Sequence, residues 1–218
     1  MNRKPGIAEL KECLEQCFAE QAAFVAAWHE AEPDDIAVPE GEATPATLRA
    51  LVAREHLRNY RLWHVEDEAR RKDVDAEVIA RCKREIDGLN QSRNDHMERV
   101  DACVVELVSG LLPQDAAERY NTETIGAALD RLSIISLKIF HMREQTLRSD
   151  VNAEHVTSCE RKLAVLREQR EDLMRSVVEL VDEYAAGTKR PKVYYQFKMY
   201  NDPSLNPALY GAARAASK

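Results

Sequence analysis

Apolar side chains recur every three or four residues through most of the chain, which is the spacing of amphipathic α-helices. Five such segments are separated by stretches rich in Pro, Gly, Asp or Asn. They predict α-helices over about 7–30, 45–71, 75–111, 121–142 and 152–186. The dipeptide Thr44-Pro45 is typical of an N-cap followed by the first helical residue, and Gly187 is typical of a residue just after a helix.

The fourth segment, residues 121–142, is apolar on nearly all sides rather than along one stripe. A helix with this pattern is buried inside a protein. It nevertheless carries charged and polar side chains, which need partners or a ligand when they are buried: Asp130, Arg131, Ser133, Lys138 and His141. The sequence therefore predicts an all-α, five-helix bundle with this helix at its centre, N-capped by Asn121 or Thr122.

Two segments lack the helical pattern. Residues 31–44 combine Pro, Asp and Glu, which predicts a mobile acidic loop. Residues 188–218 contain Pro203 and Pro207, so we expect an extended tail packed on the bundle. Its apolar anchors would be Tyr194, Phe197, Met199 and Tyr200. The 218 residues suit one domain with a substantial core.

Composition narrows the function classes. The formal charge is −7 and no basic stripe is present, which argues against nucleic-acid binding. No apolar run reaches membrane-spanning length, and the N-terminus has no apolar signal core. We therefore expect a cytoplasmic protein without a membrane span. The five cysteines are odd in number and include no Cys-x-x-Cys, which favours buried free thiols in a reducing compartment.

Polar side chains interrupt the apolar stripes of the second and third predicted helices, and further candidates lie in the fourth helix and the tail. If these helices are neighbours, the candidates meet at one end of the bundle. Arginine forks match phosphate or carboxylate, and Asn and Asp match sugar hydroxyls. The sequence thus predicts a site for an anionic, hydroxyl-bearing small molecule, with these candidate ligand-binding residues: Asn59, Asp67, Arg70, Asn90, Arg93, Asn94, Arg131, Lys138, His141, Lys198 and Asn201.

Roles follow from residue type. Arg93 and Arg131 would hold the anion, while Lys198 and Asn201 would close the site from the tail. Asp130 or Glu66 would be the acid–base group if a reaction takes place. A buried network that only fixes the register of the helices explains the same residues equally well.

Metal and cofactor motifs are absent from the sequence. None of the six histidines has Glu three residues before it, which is the spacing of helical di-iron sites. His64 and Asp67 share a helix face but form a weak motif, so we assign no metal ligand. There is no Gly-rich phosphate loop and no nucleophile elbow, and the cofactor is left open.

Several segments resemble a bacterial family known as domain of unknown function 4254. The similarity covers about residues 48–210, and its most distinctive mark is Arg131-Leu-Ser-Ile, followed here by Ile135 where Leu is usual. Other matching segments are Trp63–Arg70, Ile86–Asp95, Asn121–Thr124 and Gln196–Asp202. The resemblance implies a cytoplasmic protein associated with cell-envelope glycan and glycosyltransferase functions, and it implies no particular activity.

Two functions remain open at this stage. The first is binding of, or action on, a phosphorylated or nucleotide-sugar ligand in cell-envelope glycan metabolism. The alternative is a non-catalytic scaffold, whether a homodimer or the partner of a glycosyltransferase-like enzyme, that docks through the second helix and the aromatic tail.

Overall fold

The chain forms an all-α bundle of five long helices. The computed structural model describes residues 4–197, 199 and 202–209, and within these ranges there is no β-strand. The fold class agrees with the prediction. The helices are α1 (Ile7–Glu30), α2 (Pro45–Glu68), α3 (Ala76–Val108), α4 (Ile125–Thr146) and α5 (Ala153–Ala185).

Side-chain caps define where three of the helices begin. Thr44 caps α2 with Pro45 as its first residue, as predicted, and Asn152 caps α5 through the amide of His155. The predicted start of α4 is wrong. Thr124, not Asn121 or Thr122, is its N-cap and accepts a hydrogen bond from the amide of Ala127 at 3.1 Å. Several capping-type residues occur in succession there, and only the last one caps the helix.

Helix α4 lies at the centre of the bundle and packs against all four other helices. Its side chains Ile125, Leu129 and Leu132 are at most 1% exposed. They join one core with apolar residues of the other helices, including Leu10 of α1 and Leu48 of α2. Each such side chain stabilises the fold by roughly 1.5–3 kcal/mol through burial. The predicted central helix is therefore confirmed by its packing.

Gly126 sets the closest approach of α4 to α3. A Cβ atom at this position would lie 2.6 Å from the carbonyl oxygen of Met97 and 2.8 Å from Oδ1 of Asp101. The backbone amide of Gly126 donates to that same Oδ1 at 2.7 Å. Burial raises the pKa of Asp101 to about 6, although hydrogen bonds from Thr124 and Gly126 oppose the shift.

The acidic loop before α2 is attached to that helix by ion pairs. Asp35 accepts hydrogen bonds from the guanidinium groups of Arg54 and Arg58. Glu32 accepts one from Nε of Arg61 at 2.6 Å. The loop is thus held against α2 by charge, and its mobility stays a prediction.

Polar contacts attach the start of the tail to the connection between α3 and α4. The guanidinium of Arg190 donates to the carbonyl oxygen of Ala116 at 3.0 and 2.7 Å. The expected aromatic anchoring is wrong, because Tyr194, Phe197 and Met199 are 45%, 79% and 57% exposed. Tyr200, the fourth expected anchor, lies outside the described residues.

Two simpler expectations were also tested. All five cysteines are buried free thiols, as predicted. Among the described residues, no helix combines the length and the apolarity needed to cross a lipid bilayer.

Candidate functional site

A buried ion pair joins α3 to α4 beneath the surface of the bundle. Nε of Arg93 donates to Oδ1 of Asp130 at 2.6 Å, and Nη2 donates to Oδ2 at 2.5 Å. Both carboxylate oxygens are therefore occupied by one planar guanidinium, the bidentate arrangement that gives strong and oriented pairing. Nη1 of Arg93 is directed at Asn90, one helical turn earlier, at 3.4 Å.

Helix α2 contributes two more members of this network, Glu55 and Asn59. The amide Nδ2 of Asn59 is 2.5 Å from Oε1 of Glu55, 2.9 Å from Oδ1 of Asp130 and 2.9 Å from Oγ of Ser133. Glu55 is 2% exposed, and its Oε1 accepts the hydrogen bond from Asn59. The network therefore joins α2, α3 and α4 through side chains alone.

The two buried carboxyl groups have opposite pKa shifts. Burial raises the pKa of Asp130, but hydrogen bonds from Arg93, Glu55 and Asn59 outweigh burial, so its pKa lies below the usual value. Burial raises the pKa of Glu55 well above its usual value, and the neighbouring Asp130 raises it further. At neutral pH, Asp130 is thus the anion that faces Arg93, while Glu55 is driven toward its neutral, protonated form.

His56 continues the polar interior on the side of α1. Its Nδ1 is 2.6 Å from Oγ of Ser133, and its ring lies against that of Trp28, with 4.9 Å between ring centroids. Burial lowers the pKa of His56 to about 3, so the ring is neutral. A neutral imidazole in this position fixes helix packing rather than carrying charge.

A cleft of about 400 Å³ opens above the ion pair, between α2, α3 and α4. We call it the polar cleft. Trp63 and three aliphatic side chains line it, together with six predicted site residues: Asn59, Glu66, Asp67, Arg70, Asn90 and Arg93. Glu66 and Arg70 are paired with each other, with 2.7 Å between Oε2 and Nη1. The predicted meeting of α2 and α3 residues at one place is therefore observed.

Other predicted site residues lie elsewhere. Asn94 is buried on α3 and does not line the polar cleft. Arg131 points away from Arg93 and pairs with Glu123, with 2.7 Å between Nη1 and Oε2. Lys198 and Asn201, expected to close the site, lie outside the described residues.

A larger cleft of about 780 Å³ adjoins the polar cleft, between α2, α4 and α5. We call it the wide cleft. Trp63 and Asp67 line both clefts and form the wall between them. The predicted residues Lys138 and His141 lie here rather than in the polar cleft.

The wide cleft combines an apolar wall with positive charge. Lys138, Arg161 and Lys162 line it, and within the described part of the chain none of the three forms an ion pair. Val165 and Leu166 of α5 line it as well. An anionic group attached to an apolar or aromatic body would find complementary surface there.

Three histidines from three helices meet beside the wide cleft. They are His29 of α1, His64 of α2 and His141 of α4, and one ring nitrogen of each lies within 4.8 Å of those of the other two. We call them the histidine cluster. Burial lowers the pKa of His141, although Glu144 opposes this shift. The residues are far apart in the sequence, and no spacing motif connects them.

Sequence patterns do not single out Glu55 or the histidine cluster, for different reasons. Glu55 lies next to His56 on the inward face of α2, and both interrupt the apolar stripe, so the pattern signals a polar interior without selecting either residue. The histidine cluster depends on how α1, α2 and α4 pack, which single-helix patterns do not contain.

Fold and site together define a helical-bundle protein with a buried ion-pair network beneath the polar cleft, which adjoins the wide cleft. The chain belongs to the family of proteins of unknown function DUF4254, whose model matches residues 49–193. The match includes the network, both clefts and two of the three clustered histidines, and leaves out α1 and the aromatic tail. No curated protein and no solved structure matches the chain.

Proposed function

We propose that the protein binds a small phosphorylated or nucleotide-sugar ligand across the two adjoining clefts. The observation that carries this proposal is the set of three cations without ion-pair partners, Lys138, Arg161 and Lys162, in a wide cleft that continues into the polar cleft. A phosphate would lie against these cations, because Lys and Arg are the side chains that bind phosphate.

The wall between the clefts suits the remainder of such a ligand. Trp63 offers an aromatic face, and the polar cleft beside it offers Glu66, Asp67 and Asn90 as hydrogen-bonding groups for sugar hydroxyls. Arg93 and Arg131 are less suited to the anion-holding role that we expected, because they already pair with Asp130 and Glu123.

A catalytic role, if there is one, falls to Glu66 rather than to Asp130. Asp130 is 4% exposed and both of its oxygens accept hydrogen bonds from Arg93, so it is poorly placed to exchange a proton with a ligand. Glu66 lines the polar cleft. We assign no reaction. The part of the proposal that concerns cell-envelope glycan metabolism rests on the family resemblance alone.

A thermal-shift screen of nucleotides, nucleotide sugars and sugar phosphates tests the proposal. A ligand at about 100 times its Kd adds roughly 2.7 kcal/mol, which is a shift of roughly 5–10 °C for a chain of this size. We expect Arg161→Ala combined with Lys162→Ala to remove the shift. Arg167→Ala is the matched control, since Arg167 is an exposed arginine of the same helix that lines neither cleft.

Two results would count against the proposal. The first is a screen in which no phosphorylated compound shifts the melting temperature at millimolar concentration. The second is a shift that survives in the Arg161, Lys162 double variant, because the anion would then bind elsewhere.

The exposed tail supports a second candidate function, a scaffold that docks a protein partner. Tyr195, Phe197 and Met199 lie close together in the sequence and expose 62%, 79% and 57% of their surface, and exposed apolar groups that form a patch mark interaction sites. Substituting Tyr195 and Phe197 by Ser would weaken self-association or capture of a glycosyltransferase-like enzyme and leave the melting temperature unchanged. Equal sedimentation and equal capture of wild type and variant would argue against this function.

A further inference from the structure

Each ring of the histidine cluster is held by a hydrogen bond from its Nδ1. His29 donates to the carbonyl oxygen of Val25 at 2.6 Å, and His64 donates to that of Tyr60 at 2.8 Å. His141 donates to Oε2 of Glu144 at 2.8 Å. Carbonyl and carboxylate oxygens only accept, so each Nδ1 carries the hydrogen. In the neutral rings, Nε2 is then the nitrogen with a free lone pair.

Among the described residues, these lone pairs have no donor that would stabilise them. Nε2 of His29 and Nε2 of His64 are 3.3 Å apart, two acceptors facing each other. Nε2 of His141 is buried and has no hydrogen-bond partner among the described residues. A buried acceptor without a donor destabilises the fold, and two facing lone pairs repel each other. A cation between the rings would remove both costs.

The distance between two of the three rings matches that in a metal site. In a tetrahedral zinc site with Zn–N bonds of about 2.0–2.1 Å, neighbouring nitrogens are about 3.3–3.4 Å apart. The His29–His64 distance of 3.3 Å already has this value. All three ligand atoms lie within 4.8 Å of one another, so small side-chain rotations would complete the set.

Aromatic packing limits the rings to small rotations. Phe140 stacks on His29 with 4.3 Å between centroids, and Trp63 stacks on His141 with 4.8 Å and an interplanar angle of 8°. Packed rings with hydrogen-bonded Nδ1 atoms are the usual surroundings of metal-binding histidines, because they fix the tautomer and the direction of the lone pair.

We propose that His29, His64 and His141 bind a first-row divalent transition metal, Zn²⁺ being the best match, through their Nε2 atoms. Three neutral nitrogens suit zinc-type ions rather than Mg²⁺ or Ca²⁺, which prefer oxygen ligands. His141 also lines the wide cleft, so a water or a bound ligand in that cleft is the candidate for the fourth coordination position. The proposal does not depend on the phosphorylated ligand.

Titration of the metal-stripped, full-length protein with Co²⁺ tests the proposal. Four-coordinate Co²⁺ absorbs strongly in the visible range, so binding is read without any enzymatic assay. We expect one equivalent of tetrahedral Co²⁺, displaced by Zn²⁺. His64→Gln and His141→Gln should abolish the visible band, whereas His155→Gln, the matched control on α5 outside the cluster, should keep it.

A milder variant tests the same site if a histidine variant does not fold. Glu144 has a side chain that is 52% exposed, so Glu144→Gln should leave the fold intact. It removes only the carboxylate that orients His141, and loss of such a partner weakens metal affinity by roughly 10–100-fold. Circular dichroism would confirm that each variant is folded.

The proposal would be overturned by a protein that gives no tetrahedral Co²⁺ band. It would equally be overturned if His64→Gln and Glu144→Gln, both folded, kept the wild-type affinity, or if His155→Gln lost the band. Because no phosphorylated compound is present in the titration, failure here is distinct from failure of the ligand screen.

Discussion

Arg93 and Asp130 form two parallel hydrogen bonds, 2.6 and 2.5 Å long, that connect α3 to α4 at the floor of the polar cleft. The guanidinium is partly open to the cleft, whereas the carboxylate is buried. The main role of the pair is therefore to connect two helices. A ligand in the cleft could contact only the exposed part of the Arg93 guanidinium.

Arg93→Ala should destabilise the protein by about 3–5 kcal/mol, because it leaves the Asp130 carboxylate buried without its cation. The free energy of unfolding in urea measures this loss. Arg131→Ala is the matched control on an exposed ion pair and should cost at most about 1 kcal/mol. Equal losses for the two variants would contradict a structural role of the buried pair.

Gly126→Ala should lower the free energy of unfolding by about 1–3 kcal/mol, since the new methyl group would overlap the carbonyl oxygen of Met97. Gly88→Ala, inside α3, is the control. Nothing lies within 4 Å of a Cβ at Gly88, so alanine should instead stabilise the helix by about 0.5–1 kcal/mol. If both variants changed the free energy of unfolding in the same direction, α3 and α4 would not be in tight contact at Gly126.

His56 should make the protein less stable in acid. The unfolded chain protonates this histidine below a pKa of 6.5, whereas the folded protein does so only near 3. Stability from this residue is therefore present above pH 6.5 and is lost as the pH falls, by at most about 1.4 kcal/mol per pH unit. His56→Gln should remove this dependence on pH. A difference in the free energy of unfolding between wild type and variant that stays constant from pH 7 to pH 4 would refute the assignment.

Glu55 should have the opposite pH dependence. Its folded pKa is raised, so its contribution is present below the unfolded value of 4.5 and is lost as the pH rises through the folded pKa. Glu55→Gln keeps the shape of the neutral acid, and its stability relative to wild type should increase with pH. Glu66→Gln, at a carboxylate on the polar cleft, is the control that should show no such gain.

The sequence predicted the helices well because their signals are local. The spacing of apolar residues predicted all five helices, and Thr44-Pro45 and Asn152 predicted where two of them begin. The start of α4 was missed because Asn121 and Thr122 are as suitable for capping as Thr124, and the choice depends on where Asp101 and Gly126 bring α3 and α4 together. The predicted anchors Tyr194, Phe197 and Met199 are exposed because apolar residues alone do not specify a surface to cover them.

The candidate site was predicted in part, because some of its signals are also local. Residues such as Asn59, Asn90 and Arg93 interrupt the apolar stripes, so their inward position could be inferred from helical spacing, and they do line one cleft. Arg131 directly follows the buried Asp130 but is itself exposed. A helical wheel does not reveal this difference, because the helix is apolar on nearly all sides. The histidine cluster forms only where three helices pack together, so patterns within single helices could not predict it.

The central position of α4 also affects how the chain is made on the ribosome. Helix α1 packs against α4 and α5, and the side chain of Gln21 donates to the carbonyl oxygen of Leu129, 108 residues later. At about 5–20 residues per second, that interval takes roughly 5–20 s. During this time the nascent chain presents the apolar face of α1 with only α2 and α3 available to cover it. Helix α1 is thus synthesised well before its partners α4 and α5 and is fully buried only once they have formed.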